Sequence, residues 1–338
     1  MSAISDSRFR GNDKEGRLSK LSLQEVAISQ TLRIGTRGSA LALTQSGWVA
    51  DRIRERHPGV VVELVTIRTK GDILQDVALA QIGGKGVFIK EIEEALLRGD
   101  VDLAIHSMKD VPAELPEALE IAVMPLREDP RDVLISREGR KLEEMPRGAR
   151  IGTGSLRRGF QLRNRMPDLE IVPLRGNLDT RIRKLETESL DGVILAAAGI
   201  RRMGWVAQVS QFLPMEIMLP AVGQGALGIE TRRGDARCRD AVTFLHDSVT
   251  FCEVGAERAF LKRLGGGCQL PIAGFAKKSG GEIALEGLIG GLDGRVVVRH
   301  RVTGPAAAFM ALGEGLAERI LTEGGRALLD EVYRNEPV

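Results

Sequence analysis

The run Arg33-Ile34-Gly35-Thr36-Arg37-Gly38-Ser39 returns, one residue shorter, as Arg150-Ile151-Gly152-Thr153-Gly154-Ser155. In each copy a short apolar run meets a Gly-Thr loop, then a serine of the kind that caps a helix. A strand handing over to a helix in this way opens a βα unit. Two copies in separate halves of the chain predict two similar α/β domains, each aiming a helix N-terminus at a shared cleft. Length agrees, because 338 residues exceed one ordinary core and call for two or three domains.

The elements around the two copies follow the same pattern. Leu32 to Ile34 reads as a strand and Ala40 to Arg56 as a helix with Leu41, Trp48, Val49 and Ile53 on one side. His57-Pro58-Gly59 stops it, and the β-branched run Val60 to Ile67 is the next strand. A helix over Val87 to Arg98 ends at Gly99, and Val101 to Ile105 is a buried strand. Ile121 to Met124 and Asp132 to Ser136 are further strands, separated by the polar, Pro-broken segment 127–131, a hinge by composition. After the second copy come a helix (156–165), a strand (169–173), a helix from Asn177 and the apolar strand 192–196. Leu219 to Glu230 reads as a return crossing. The remainder predicts helices at 235–246 and 252–264, a hairpin of 282–289 with 295–302 around Asp293-Gly294, and a last amphipathic helix ended by Gly324-Gly325. This tail is a small α+β domain.

Between Ile151 and Arg183 stand seven arginines and no lysine, against Asp168, Glu170 and Asp179 only. Arginine's planar fork grips carboxylate or phosphate at two points. Most charge runs are solvated helix faces, which suits Arg163 and Arg165. Arg157 and Arg158 follow a Gly-Thr-Gly-Ser loop, and Arg175 and Arg181 flank a Gly-Asn turn, all where a strand meets a helix. These read as a cradle for a polyanionic ligand. The net charge of +2 offers no field for duplex nucleic acid, and 4% aromatics offer no stacking platform, so the ligand is small. No apolar run has the length of a membrane span. Three cysteines without a CxxC fit a reducing compartment, the cytoplasm, and no metal-ligand spacing occurs among the four histidines. Residues 1–30 are polar and aperiodic, and are expected to be a disordered extension.

His106-Ser107-Met108-Lys109-Asp110 follows a buried strand. A carboxylate beside a lysine at a strand end is placed for acid–base work, although a plain surface ion pair has the same sequence. Gly83-Gly84-Lys85-Gly86 lacks the full phosphate-loop pattern. Cys268 follows three glycines and reads as a reactive, exposed thiol, whereas Cys238 and Cys252 lie in helical patterns and read as structural.

RIGTRGSALAL, GGKGVF, HSMKDVP, REDPRD, GTGSLRR, LRGNLDTR, LPAVGQGALGIE and GGGCQLPI occur in this order. Through them the chain resembles the porphobilinogen deaminase (hydroxymethylbilane synthase) family from about residue 31 to the end. The resemblance implies two periplasmic-binding-protein-like α/β domains, 31–127 with 226–245 and 130–220. It implies a small α+β third domain, 248–338, carrying the cofactor cysteine. It implies a dipyrromethane cofactor held through a thioether on Cys268, and Asp110 as the catalytic carboxylate. Arg37, Ser39, Lys109, Thr153, Ser155, Arg157, Arg158, Arg175, Asn177 and Arg181 match contacts to the acetate and propionate groups of cofactor and growing chain. Lys85 and Phe88 match a mobile loop near the site. Gly154 departs from the serine expected in many relatives.

Porphobilinogen carries an aminomethyl group and two carboxylates. On the implied mechanism Asp110 assists loss of ammonia, stabilises the cation that forms, and takes the α-carbon proton after the new bond closes. Four units are added, so the bound chain grows from two to six pyrroles before water releases the tetrapyrrole. A monomer is expected, with no metal, nucleic acid or membrane partner. The rival from another class is a non-catalytic binding protein for a small dicarboxylate or phosphate. It needs the arginines but neither Asp110 nor a group on Cys268.

Overall fold

The computed structural model describes residues 31–69, 71, 89–266 and 270–334. The expectations for residues 1–30, Lys85, Phe88 and Cys268 fall outside these.

In chain order the first half supplies β1 (Leu32–Thr36), α1 (Ala40–Arg56), β2 (Val62–Thr66), α2 (Lys90–Arg98), β3 (Leu103–Ser107), β4 (Leu119–Val123) and β5 (Asp132–Ser136). Next come β6 (Arg150–Gly152), α3 (Leu156–Arg165), β7 (Glu170–Val172), α4 (Leu178–Thr187), β8 (Gly192–Ala196), α5 (Ala197–Arg202), β9 (Gln211–Phe212) and β10 (Leu227–Arg232). The last third holds α6 (Ala236–Val242), α7 (Ser248–Arg263), β11 (Ile272–Ser279), β12 (Glu282–Gly290), β13 (Val297–Pro305), α8 (Phe309–Ile320) and α9 (Arg326–Arg334).

Two sheets share one plan. The first runs β2-β1-β3-β10-β4 and the second β7-β6-β8-β5-β9. In each, the first three strands are parallel and the fourth is antiparallel to its neighbours. That fourth strand joins by a crossing of the chain, 124–131 into β5 and 213–226 into β10. The repeated sequence sits on the equivalent strands β1 and β6. Its arginines also match: Arg33 N–H donates to Asp102 Oδ2 (2.9 Å) and Arg150 N–H to Asp191 Oδ2 (2.7 Å). Each arginine side chain then donates to carbonyls at a helix end, Gly99 O or Glu188 O. So the two copies are equivalent frames.

The third sheet, β11-β12-β13, is antiparallel and packs on α7 and α8 around Phe260, Ile283, Leu285, Leu316 and Ile320. Glu257 of α7, fully buried, ties it to both crossings. It accepts from Arg127 Nη1 (2.6 Å) and Nη2 (3.1 Å), from Gly223 N–H (2.7 Å) and from Ala276 N–H (2.9 Å). No helix among the described residues is long and apolar enough to cross a membrane.

Some expectations are corrected. Trp48 is 44% exposed, because α1 turns Gln45 and Ser46 inward, Ser46 Oγ donating to Thr36 Oγ1 at 2.8 Å. Arg163 is not solvated surface: it donates to Leu292 O (3.0 Å) beside the turn of the third sheet. The chain does not stop at Gly324-Gly325 but bends there and continues as α9. Strand β11 and the short helix α5 went unread.

Candidate active site

Lys109 and Asp110 lie in one tight turn, residues 108–110, where β3 leaves the first sheet. The turn is held from behind. Met108 is buried, and its N–H donates to Ala226 O (3.0 Å) at the foot of β10. Gly223, at φ +71°, lets the return crossing touch Met108, since a Cβ there would lie 2.9 Å from Met108 Cβ. Arg258 of α7 donates to Val111 O (3.2 Å) and Pro112 O (2.7 Å), fixing the chain just past Asp110. Burial lowers the Arg258 guanidinium to about 10.

The second sheet supplies the cations. Arg181 in the first turn of α4 donates its Nε–H to Gly176 O (2.7 Å). Burial, then Arg158 and Arg175, push it down to about 10, with Asp110 opposing. Arg175 is lowered by burial. Lys109 is pushed down to about 8 by burial and by Arg158 and Arg157, with Asp110 and Asp132 opposing. Lys109 and Asp110 of one sheet therefore share a field with Arg158 and Arg181 of the other. Around these groups positive charge outnumbers its counter-ions and is partly stripped of water, which is what a polycarboxylate ligand requires.

Arg157 and Arg158 have a partner that the sequence left unread. Asp132, the first residue of β5, is fully buried between them. Arg157 Nη1 donates to Asp132 Oδ2 (2.7 Å) and Leu219 O (2.7 Å). Arg158 donates through Nε (3.0 Å) and Nη2 (2.7 Å) to Asp132 Oδ1, and through Nη1 to Ile194 O (3.0 Å). Gln224 Nε2 joins at 3.0 Å from the return crossing. Burial pushes the Asp132 carboxyl up, but the two guanidinium groups outweigh it and hold it well below the usual range. Arg157 Nε is buried with no hydrogen-bond partner among the described residues.

The other predicted contacts cluster at the same strand ends. Ser39 caps α1, accepting from Ala42 N–H at 3.4 Å, and Arg37 is half-buried beside it. Ser155 and Asn177 stand at the starts of α3 and α4 but make no side-chain cap, contrary to the expectation for Ser155. Thr153 is buried, and its Oγ1 accepts from Ser155 N–H at 3.2 Å. At Gly154 a Cβ would lie 2.4 Å from the Leu174 carbonyl oxygen, so a serine needs the backbone to shift. Asp132, Gln224, Arg258 and Arg202 were missed. Arg202, lowered to about 10 by burial, donates to Gly225 O at 2.7 Å. Only Asp132 had a sequence signal, the acid-rich REDPRD run. Cys238 and Cys252 are buried as expected, and burial pushes the Cys238 thiol up to about 12. Among the described residues no group of His, Cys, Asp and Glu could hold a metal ion.

The family profile "Porphobilinogen deaminase, dipyromethane cofactor binding domain" matches residues 32–240, and "Porphobilinogen deaminase, C-terminal domain" matches 251–322. Porphobilinogen deaminase of Syntrophus aciditrophicus is 59% identical over 306 residues, 90% of this chain and 100% of that protein. That of Geotalea daltonii is 53% identical over 311 residues, covering 92% and 97%. Among solved structures, the methionine-binding protein MetQ has a TM-score of 0.40 at 14% identity, covering 65% of this chain and 92% of that one. The chain belongs to the porphobilinogen deaminase family, transferases that condense porphobilinogen, with loss of ammonia, into hydroxymethylbilane on a dipyrromethane cofactor.

Proposed function

We propose that the Lys109–Asp110 turn and the arginines facing it are the condensing site, with Asp110 the catalytic carboxylate. The observation that carries this is that Lys109 and Asp110 share one turn at the end of β3, held by Met108 N–H on Ala226 O and by Arg258 on Val111 O and Pro112 O, the strand-end lysine–carboxylate pair that acid–base work needs. The desolvated cations, and the Arg157 Nε that has no hydrogen-bond partner among the described residues, suit a polycarboxylate such as the dipyrromethane and its extensions. When bound, that cofactor would supply the free pyrrole carbon that accepts the first unit. Asp110 stabilises the cation left on the methylene carbon when the substrate's amino group departs as ammonia, and takes the proton released at the new bond. Arg37, Ser39, Lys109, Thr153, Ser155, Arg175, Asn177 and Arg181 bind the acetate and propionate groups, with Arg157 and Arg158 anchored on Asp132. Cys268 is the attachment point, and Lys85 and Phe88 act in the same condensation.

The division into domains 31–127 with 226–245, 130–220 and 248–338 belongs to the same proposal, supported by one sheet in each. So do action as a monomer and a cytoplasmic location. The non-catalytic binding protein falls away with family membership.

Intact mass spectrometry should find a two-pyrrole adduct on the purified protein and none on Cys268→Ala. An adduct that survives the substitution moves the tether elsewhere. Asp110→Asn should keep the adduct and lose roughly 100- to 1,000-fold in turnover. Near-normal turnover removes Asp110 from catalysis.

A further inference from the structure

The strand pair behind the catalytic turn holds a polar pair that its counterpart in the other sheet lacks. On β3 and β10, Gly228 faces His106 and Glu230 faces Ala104, so His106 and Glu230 lie one diagonal step apart on one face. His106 Nε2 is 2.9 Å from Glu230 Oε2, and the two side chains are 4% and 0% exposed. Glu230 Oε1 is buried with no hydrogen-bond partner among the described residues. The same is true of Oε1 of Glu93, on the helix α2 that covers Ala104 with Ile92, Ala95 and Leu96. Burial, then Glu230, push the Glu93 carboxyl up to about 7, with His106 opposing, so the three groups feel one another.

The second sheet is an internal control. Ile34 pairs with Leu103 as Ile151 pairs with Gly192, which makes His106 equivalent to Leu195. The registers of β10 and β5 then make Glu230 equivalent to Ile135. Leu195 and Ile135 are buried together in one apolar cluster. The frame therefore closes without a polar pair. A half-satisfied buried carboxylate weakens a fold, and an apolar pair of similar volume is often neutral or better. What differs is where the strand leads. β8 runs into α5, whereas β3 runs into Lys109 and Asp110.

We propose that His106 and Glu230 are positioning residues for the condensation, pinning the end of β3 to β10 and so fixing the Lys109–Asp110 turn. The route is short. Ser107 follows His106 and accepts from Gln45 Nε2 at 3.2 Å, and Met108 N–H then binds Ala226 O. With β10 and the return crossing at its back, the turn moves whenever β3 slips against β10. The inference rests on Asp110 carrying the chemistry.

The test installs the second sheet's solution, His106→Leu with Glu230→Ile. The double variant should fold, and kcat should fall by about tenfold or more, beyond any rise in KM for porphobilinogen as Lys109 shifts with the turn, as expected for a misplaced catalytic group. A folded double variant with wild-type kcat overturns the proposal. If it does not fold, His106→Gln and His106→Asn decide. The Gln amide reaches the place of Nε2 and should restore kcat, whereas the Asn amide stops near Nδ1 and should not. Equal kcat for these two overturns the proposal. Asp110→Asn is assayed alongside. If it is active, the reading of the site fails. If it is inactive and the double variant is fully active, only the pair fails.

Discussion

The two sheets share strand order, direction and even the arginine–aspartate brace at their first strands, yet each buries its acid at a different height. In the first, Glu230 lies inside the strand pair against His106. In the second, Asp132 lies at the strand end, equivalent to Leu227, where it holds Arg157 and Arg158. The first sheet thus ends in a lysine and a carboxylate, and the second in arginines. The frame decides where strands end. The residues that break the repeat decide what chemistry happens there.

The comparison breaks most readily at Asp132. Asp132→Ala leaves two buried guanidinium groups without their counter-ion, which costs about 3–5 kcal/mol. At roughly 2–4 °C per kcal/mol for domains near this size, Tm should fall by about 6–20 °C. Calorimetry reads this directly. An unchanged Tm would mean that the second sheet closes as the first does at Leu227, and that Asp132 is not its anchor.

The frame was legible because it is local. Gly-Thr loops followed by a serine, which caps its helix in the first copy only, and β-branched runs announce β1, α1, β2 and their copies within a few residues of sequence. The crossings were legible through Pro130 and the glycines around Gln224. What was not legible depends on distance. Arg157 and Arg158 read as bare ligand cations because Asp132 lies in another element, and nothing at either position announces the other. His106 and Glu230 are 124 positions apart. Strand β11 (IAGFAKKS) alternates weakly and carries Lys277 and Lys278, so its pairing partner β12 decides it, not its own pattern. Helix α5 is hidden because its Ala-Ala-Gly start continues the apolar run of β8.

Lys109 sharpens the contrast between a titrating cation from the first sheet and the arginines of the second. Burial holds its ammonium at about 8, so its charge disappears as pH rises through 8 while the arginines remain charged. KM for porphobilinogen should rise by about tenfold between pH 7 and 9.5, the worth of one charge-assisted hydrogen bond. Lys109→Arg should flatten that rise. A wild-type KM that is level across this range places the binding charge elsewhere.

The smallest effect tests whether the first sheet alone carries a proton-dependent core. Glu93 meets Glu230 from β10, His106 from β3 and Glu94 on its own helix, and its carboxyl is pushed up to about 7. A carboxyl raised in the folded state holds its proton more tightly there than in the unfolded chain. Its stability is therefore full below the ordinary glutamate range, declines as pH rises to about 7, and stays lower above that. Glu93→Gln is neutral throughout and removes the decline. Discounted for partial exposure, the gain at pH 8 is about 1–2 kcal/mol, or roughly 2–8 °C in Tm. Near pH 4.5 the two proteins should melt together. A gain of equal size at both pH values would assign it to packing or helix propensity, because only a proton on Glu93 makes the difference depend on pH.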